Sequence, residues 1–263
     1  MIARHGLDAR RALGQHFLLD ANLAARIVRQ SGDLAGRHVV EVGPGPGGLT
    51  RALLASEAAS VTAVEIDPRA VAAIEELAVA SPQLRVVAAD ALALDLAALV
   101  PSPRQIVANL PYNIASPLLV GWLRQAALWE RMTLMFQLEV AERICAAPGT
   151  AAYGRLAVLA QWVTAVELRM RVPPAAFVPP PKVWSAVVVL TPHHAQPEPR
   201  LFAAMERLTA AAFGQRRKML RGALRALDGA ALLADASIDP ARRAETLEVA
   251  EFDRLARLLA ART

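Results

Sequence analysis

Between His38 and Asn109 four short apolar, β-branched stretches alternate with segments of helical spacing, and this pattern constrains the fold more than any other feature. The stretches are His38-Val39-Val40-Glu41-Val42, Val61-Thr62-Ala63-Val64-Glu65, Leu84-Arg85-Val86-Val87-Ala88 and Gln105-Ile106-Val107-Ala108. Alternation of this density predicts a mostly parallel sheet with right-handed helical crossovers, an α/β fold of the Rossmann-like kind. Each stretch runs into a residue suited to a site: Gly43, Glu65, Asp90 and Asn109. In an open α/β sheet the carboxyl ends of the strands face the ligand crevice, so these four are expected around one cleft.

The rest of the chain extends this plan. Asp20 is expected to cap a first helix that ends near Gln30, and Ser116 a helix to Gln125 with Pro117 at its first position. Met132 to Phe136 reads as a further buried strand, and Val140–Ala147 and Arg155–Thr164 as helices. Alternating residues 166–170, a proline-rich loop 172–182 and a strand 185–190 suggest an antiparallel pair at the sheet's edge. The linker Thr191 to Pro199 divides the chain into a cofactor-binding catalytic domain, 1–192, and a small C-terminal helical domain, 200–263.

Composition excludes some classes. With 55% hydrophobic residues among 263, the chain can bury a sizeable core and is not expected to be disordered. No apolar run near twenty residues lacks a charge or a proline, and the first residues have no apolar signal core, so neither a membrane span nor secretion is expected. The single Cys145 permits no internal disulfide and fits a reducing cytoplasm. The net charge of +5 permits a polyanionic partner without demanding one. Arginine supplies 27 of the 29 basic residues, a bias that goes with the alanine richness of a GC-rich genome rather than with a choice for phosphate forks.

Gly43-Pro44-Gly45-Pro46-Gly47-Gly48 satisfies G-x-G-x-x-G, and Glu65 stands where an acid accepts hydrogen bonds from a ribose. A nicotinamide-dependent oxidoreductase is therefore one reading. Two prolines, however, remove N–H groups that would cradle a pyrophosphate, and Glu41 repels phosphate while suiting a cationic ligand. S-adenosylmethionine, which has ribose, adenine, ammonium and sulfonium groups but no phosphate, is the alternative. Asn109-Leu110-Pro111-Tyr112 supplies an amide, a proline that ends the strand and a flat ring for stacking. Phe177 reads either as a core aromatic pinned by prolines or as a second stacking surface. Arg216, Arg217, Lys218, Arg221 and Arg225 are spaced to share a helical face, either simply solvated or a phosphate stripe. His193-His194 lies in a linker without acidic partners, and no metal site is expected.

These motifs together resemble the ribosomal RNA adenine dimethyltransferase family, in its bacterial small-subunit branch. The resemblance runs from about Leu13 to Leu224 and is carried by Leu13-Gly14-Gln15-His16-Phe17-Leu18, Glu41-Val42-Gly43-Pro44-Gly45, Val64-Glu65-Ile66-Asp67 and Asp90-Ala91-Leu92. It continues through Asn109-Leu110-Pro111-Tyr112-Asn113-Ile114, Gln137 with Glu139-Val140-Ala141, Tyr153-Gly154-Arg155-Leu156 and Phe177-Val178-Pro179-Pro180-Pro181-Lys182-Val183. It implies S-adenosylmethionine-dependent dimethylation of two adjacent adenosines near the 3′ end of small-subunit rRNA. The partner would be that RNA or an immature small subunit, with the enzyme acting as a cytoplasmic monomer. His16 and Leu18 would line the methionine end of the cofactor above Gly43, Glu65 would hold the ribose, and Asp90 the adenine amine. Asn109 would sit beside the methyl group, with Pro111, Tyr112 and Phe177 around the target base and the basic tail residues on RNA. The family often has Asn at position 16 and a basic residue at position 138, so His16 and Leu138 are departures. The large-subunit, antibiotic-resistance branch and a non-enzymatic RNA-binding role are the rivals that the resemblance itself raises.

Overall fold

The computed structural model describes residues 16–215 and 217–262. In chain order the elements are β1 (Phe17–Leu18), α1 (Ala21–Arg29), β2 (His38–Val42), α2 (Gly48–Leu54), β3 (Ser60–Glu65), α3 (Pro68–Ala80), β4 (Leu84–Ala88) and β5 (Arg104–Asn109). Then come α4 (Ala115–Leu123), β6 (Arg131–Gln137), α5 (Leu138–Ile144), α6 (Arg155–Val163), β7 (Thr164–Val172), β8 (Phe177–Val178) and β9 (Ser185–Pro192). Helices α7 (Pro199–Gly214), α8 (Leu220–Ala223), α9 (Gly229–Asp235) and α10 (Val249–Ala261) follow.

Seven strands form one sheet in the order β4-β3-β2-β5-β6-β9-β7. The pairs β3–β4, β2–β3, β2–β5 and β5–β6 are parallel, and β9 joins β6 antiparallel from Met132 opposite Leu190 to Gln137 opposite Ser185. The strands are apolar along their length because helices cover both faces of a parallel sheet. Val39, Val61, Ile106, Val107 and Leu134 are all sealed from solvent. The α/β expectation holds, and β9 inserts between β6 and β7.

The chain divides into two compact units. One comprises residues 1–141 and 167–192, and the other 142–166 and 193–263. The helical unit is thus larger than the 200–263 expected from the linker. Within it α6 packs against α7 and α10, where Ala157, Val158, Met205, Phe252 and Leu255 are buried. A linker marks where a chain crosses between units once. It gives no sign that an earlier segment has already crossed and returned.

Asp20 caps α1 as expected, its carboxylate accepting from the N–H groups of Asn22 and Leu23 at 2.8 and 3.2 Å. The helix after Tyr112 instead starts at Ala115, with Ile114 at the capping position and no side-chain cap. Ile114 N–H donates to the Pro111 carbonyl at 3.1 Å, so a backbone turn leads into the helix one residue before the expected Ser116 cap. No described helix is long and apolar enough to cross a membrane.

Candidate active site

The four strand-end residues meet as expected. Gly43, Glu65, Asp90 and Asn109 all line one cleft of about 240 Å³ at the carboxyl ends of β2, β3, β4 and β5. His16, Leu18, Pro111 and Tyr112 line it too, all within the first unit.

The loop after β2 is tight because its glycines leave the regions open to other residues. Gly43, Gly45 and Gly47 have φ of +69°, +53° and +84°. At Gly48 a Cβ would fall 1.9 Å from the Leu18 carbonyl oxygen, so the absence of a side chain lets β1 lie across the loop.

Glu65 ends β3 with its carboxylate held by backbone. One oxygen accepts from Ile66 and Asp67 N–H, both at 2.9 Å, and the other from Gly45 N–H at 3.2 Å. Burial raises its pKa, those three bonds pull it back, and nearby Asp67 raises it further. The carboxylate joins the β3 end to the glycine loop while its outer lone pairs remain for a ligand.

Glu41, one turn of the pleat before Gly43, lines the cleft, where its sequence position suggests a carboxylate that repels phosphate and suits a cationic ligand. It is fully buried, and desolvation pushes its carboxyl up to about 8, with Glu65 adding repulsion. The Thr50 hydroxyl lies close enough to favour the charged form without completing a hydrogen bond, and Glu41 Oε2 has no partner. Ile66 and Leu92 are further lining residues that went unassigned. They are 56% and 48% exposed, an unusual state for large aliphatic side chains, and both border the cleft between Glu65 and Asp90. The signal was available: each directly follows or nearly follows an acid at a strand end.

Asn109 closes the other side. Its side-chain NH₂ donates to the His16 backbone carbonyl at 3.2 Å, which commits the donor end of the amide and turns the carbonyl oxygen the other way. Tyr112 shares a 2.6 Å hydrogen bond with Ser185 at the start of β9, and burial raises its phenol pKa. The His16 ring stands 5.4 Å from the Tyr112 ring at 32°. Its Nδ1 donates to the Pro179 carbonyl at 2.8 Å, which places the proton on Nδ1 in the neutral ring. His16 therefore lines the cleft, but its ring is engaged by Tyr112 and the proline-rich loop.

Phe177 requires a correction. It is 2% exposed, packs in the core with Leu18, Leu23 and Ile27, and does not line the cleft. The cause is a two-stranded ribbon, β1 with β8, in which Leu18 pairs with Phe177 and Phe17 with Val178. Its neighbour Val178 takes the outward side and is 53% exposed.

The basic tail residues also differ from expectation. Arg216 lies outside the described residues, as do the arginines before His16. Arg217, Lys218 and Arg221 are exposed, but they do not form one helical face. Helix α7 ends at Gly214, Arg217 and Lys218 occupy the turn, and Arg221 lies in the separate short helix α8. Lys218 N–H donates to the Gln215 carbonyl at 2.8 Å, fixing that turn.

A family model described as ribosomal RNA adenine dimethylase matches residues 6–261. The chain is 66% identical over 258 residues to the ribosomal RNA small subunit methyltransferase A of Gluconobacter oxydans, spanning 98% of this chain and 85% of that protein. It is similar to the crystal structure of a dimethyladenosine transferase from Plasmodium falciparum, with a TM-score of 0.76 and 25% identity over 91% of this chain and 96% of that one. It is also similar to the 23S rRNA methyltransferase ErmE, with a TM-score of 0.67 and 29% identity over 92% and 99%.

Proposed function

Because the chain belongs to the ribosomal RNA adenine dimethylase family, we propose that it dimethylates the exocyclic amines of two adjacent adenosines of small-subunit rRNA, with S-adenosylmethionine as methyl donor. The observation that carries this reading is the orientation of Asn109. With its NH₂ on the His16 carbonyl, its oxygen is the end left for a substrate, and an amine N–H is what an amide oxygen accepts.

The cleft's donor set fits the proposed cofactor. Glu65 and Asp90 make the lining acidic, Glu41 beneath them is held largely protonated by burial, and Pro44 and Pro46 thin out the N–H groups, which suits a cationic ligand and not a pyrophosphate. Glu65 would hold the ribose hydroxyls and Asp90 the adenine amine, between the apolar walls of Ile66 and Leu92. His16, Leu18 and Gly43 would border the methionine end. When bound, the cofactor supplies an electrophilic methyl on a sulfonium.

The target amine has its lone pair delocalised into the purine, so it lacks direction more than it lacks a base. The Asn109 oxygen and the Pro111 carbonyl can each accept one N–H, which draws the nitrogen towards a tetrahedral shape with its lone pair aimed at the methyl. The Pro111 carbonyl already receives Ile114 N–H at 3.1 Å and keeps a second lone pair for this role. Orientation of this kind is worth up to roughly 7–11 kcal/mol of a barrier. Tyr112 would stack the extruded base, at about 1–3 kcal/mol, and its bond to Ser185 fixes the ring for that purpose. Arg217, Lys218 and Arg221, with Arg216, would meet RNA phosphates from the helical unit, which makes residues 1–141 and 167–192 the cofactor and catalytic part and the helical unit, through its 200–263 segment, the RNA-contacting part. We infer that the enzyme acts as a monomer in the cytoplasm, on free RNA or on an immature subunit.

The large-subunit alternative is the weaker, since identity is 66% to a small-subunit enzyme and 29% to a 23S enzyme. Primer extension on undermethylated small- and large-subunit RNA, with and without the protein, tests the choice. Paired stops at adjacent adenosines near the 3′ end of the small-subunit RNA are expected. Stops confined to the large-subunit RNA would overturn the assignment.

A further inference from the structure

Among the chain's four tryptophans, three are committed to the interior or to partners. Trp122 and Trp129 are 5% and 3% exposed, and Trp162 donates its indole N–H to Asp253 at 2.9 Å. Trp184 is different: its side chain stands in solvent, 48% exposed, between exposed Lys182 and Val183 on one side and buried Ser185 on the other.

Its place in the sheet is informative. The proposed cofactor residues sit on β4, β3 and β2, to one side of Asn109 on β5, while β6 and β9 lie to the other. Because β9 runs antiparallel, its first residue is at the carboxyl edge of the parallel strands, with Ser185 opposite Gln137 at the end of β6. Trp184 therefore stands at the cleft edge of the sheet, two strand spacings from β5. Asn109 is level with Met135 and Val187, so two strand spacings of about 4.8 Å and three residues of about 3.3 Å put the Trp184 backbone roughly 14 Å from that of Asn109. Ser185, the next residue, bonds the Tyr112 hydroxyl at 2.6 Å. The Trp184 backbone is held as well, since its carbonyl accepts Leu138 N–H at 2.8 Å. Three prolines, 179 to 181, stiffen the approach to it.

We propose that Trp184 is a stacking platform for a base next to the target adenosine, set on the substrate side of Asn109. The inference rests on the RNA substrate proposed above. Stacking on an exposed aromatic ring tolerates any base and suits a single strand whose neighbouring base has been extruded. Lys182, two residues away, brings a positive charge for the adjoining phosphate. The platform holds the strand while the target base is out of its stack, so its effect falls on RNA affinity and not on the cofactor.

Intrinsic tryptophan fluorescence reads this directly, because Trp184 is the exposed emitter among the four. The probes are a short single-stranded RNA with two adjacent adenosines, undermethylated small-subunit RNA, and assembled small subunits lacking the methyl groups. Naked RNA is expected to quench the wild-type emission. Trp184→Phe should lose the quench and keep RNA affinity within about threefold, since a phenyl ring still stacks. Trp184→Ala should weaken RNA binding about five- to hundredfold. Both variants should bind S-adenosylmethionine as the wild type does, which also verifies that they fold. An Ala variant that binds RNA as tightly as wild type, or emission that RNA leaves unchanged, overturns the proposal. Quenching by assembled subunits that persists after their RNA is digested also overturns it, by moving the contact to a protein. A wild-type protein that methylates no RNA would instead overturn the functional reading on which it rests.

Discussion

The two sides of the cleft are built by different means. On the β2–β3–β4 side, the site is backbone and short-range contact: glycines at positive φ, and a carboxylate held by N–H groups one, two and twenty residues away. On the β5–β6–β9 side, each functional group is held from far along the chain. Asn109 is set by His16, Tyr112 by Ser185, and His16 by Pro179, across separations of 93, 73 and 163 residues. The first side draws its contacts from within one strand–helix–strand repeat, with β1 laid across it at Gly48. The second exists only once β1, β8 and β9 have come together. The proposed cofactor side thus rests largely on a turn, while the proposed base side is a product of the tertiary fold.

If the two sides are separable, variants should divide between them. The largest expected effect is at Asn109, the boundary residue. Asn109→Ala should cut single-turnover methyl transfer by a hundredfold or more, as losing one preorganised group at a reacting centre costs about 10²–10³. Calorimetry should find S-adenosylmethionine binding nearly intact. Full activity in this variant breaks the comparison at its centre. Next comes Glu65→Ala, which should weaken cofactor binding by about 10–100-fold, the worth of hydrogen bonds to a charged group. RNA affinity in a gel-shift titration should stay unchanged. An equal loss of RNA binding would mean that the two sides fold as one.

Tyr112→Phe keeps the ring and removes the bond to Ser185, so kcat should fall by about 2–12-fold, the range of one neutral hydrogen bond. No change would show that the ring is positioned without it. The smallest effect concerns stability at Glu41. Its folded pKa near 8 lies above the ordinary 4.5, so the folded state binds the extra proton and stability falls as pH rises from about 4.5 to about 8. Glu41→Gln should flatten that slope and raise the melting temperature at pH 8 by about a few degrees. A melting curve as pH-dependent as that of the wild type would contradict the assignment.

The same division explains what could be read in advance. Gly43, Glu65, Asp90 and Asn109 were legible because a strand's hydrophobic run announces its own end, and the crevice rule places all such ends together. Asp20 was legible as a cap for the same local reason. Phe177 was not. Strands of two residues, Phe17–Leu18 and Phe177–Val178, carry no periodicity, and only their pairing decides that Phe177 faces the core. Gly214 was legible as punctuation in the helical tail, but helical spacing alone could not show that the basic residues after it fall in a turn and a separate short helix. The crossing of residues 142–166 into the helical unit has no local signal, since a buried helix reads alike in either unit.

The account's central claim is that the Asn109 oxygen and the Pro111 carbonyl hold an exocyclic amine by its hydrogens. Nucleoside analysis of RNA methylated by the purified protein with isotope-labelled S-adenosylmethionine tests it most directly. The expected product is N6,N6-dimethyladenosine, carrying all of the label. Label on a ring nitrogen, a ribose oxygen or a carbon would contradict the claim, because none of these presents N–H groups for two acceptors to orient.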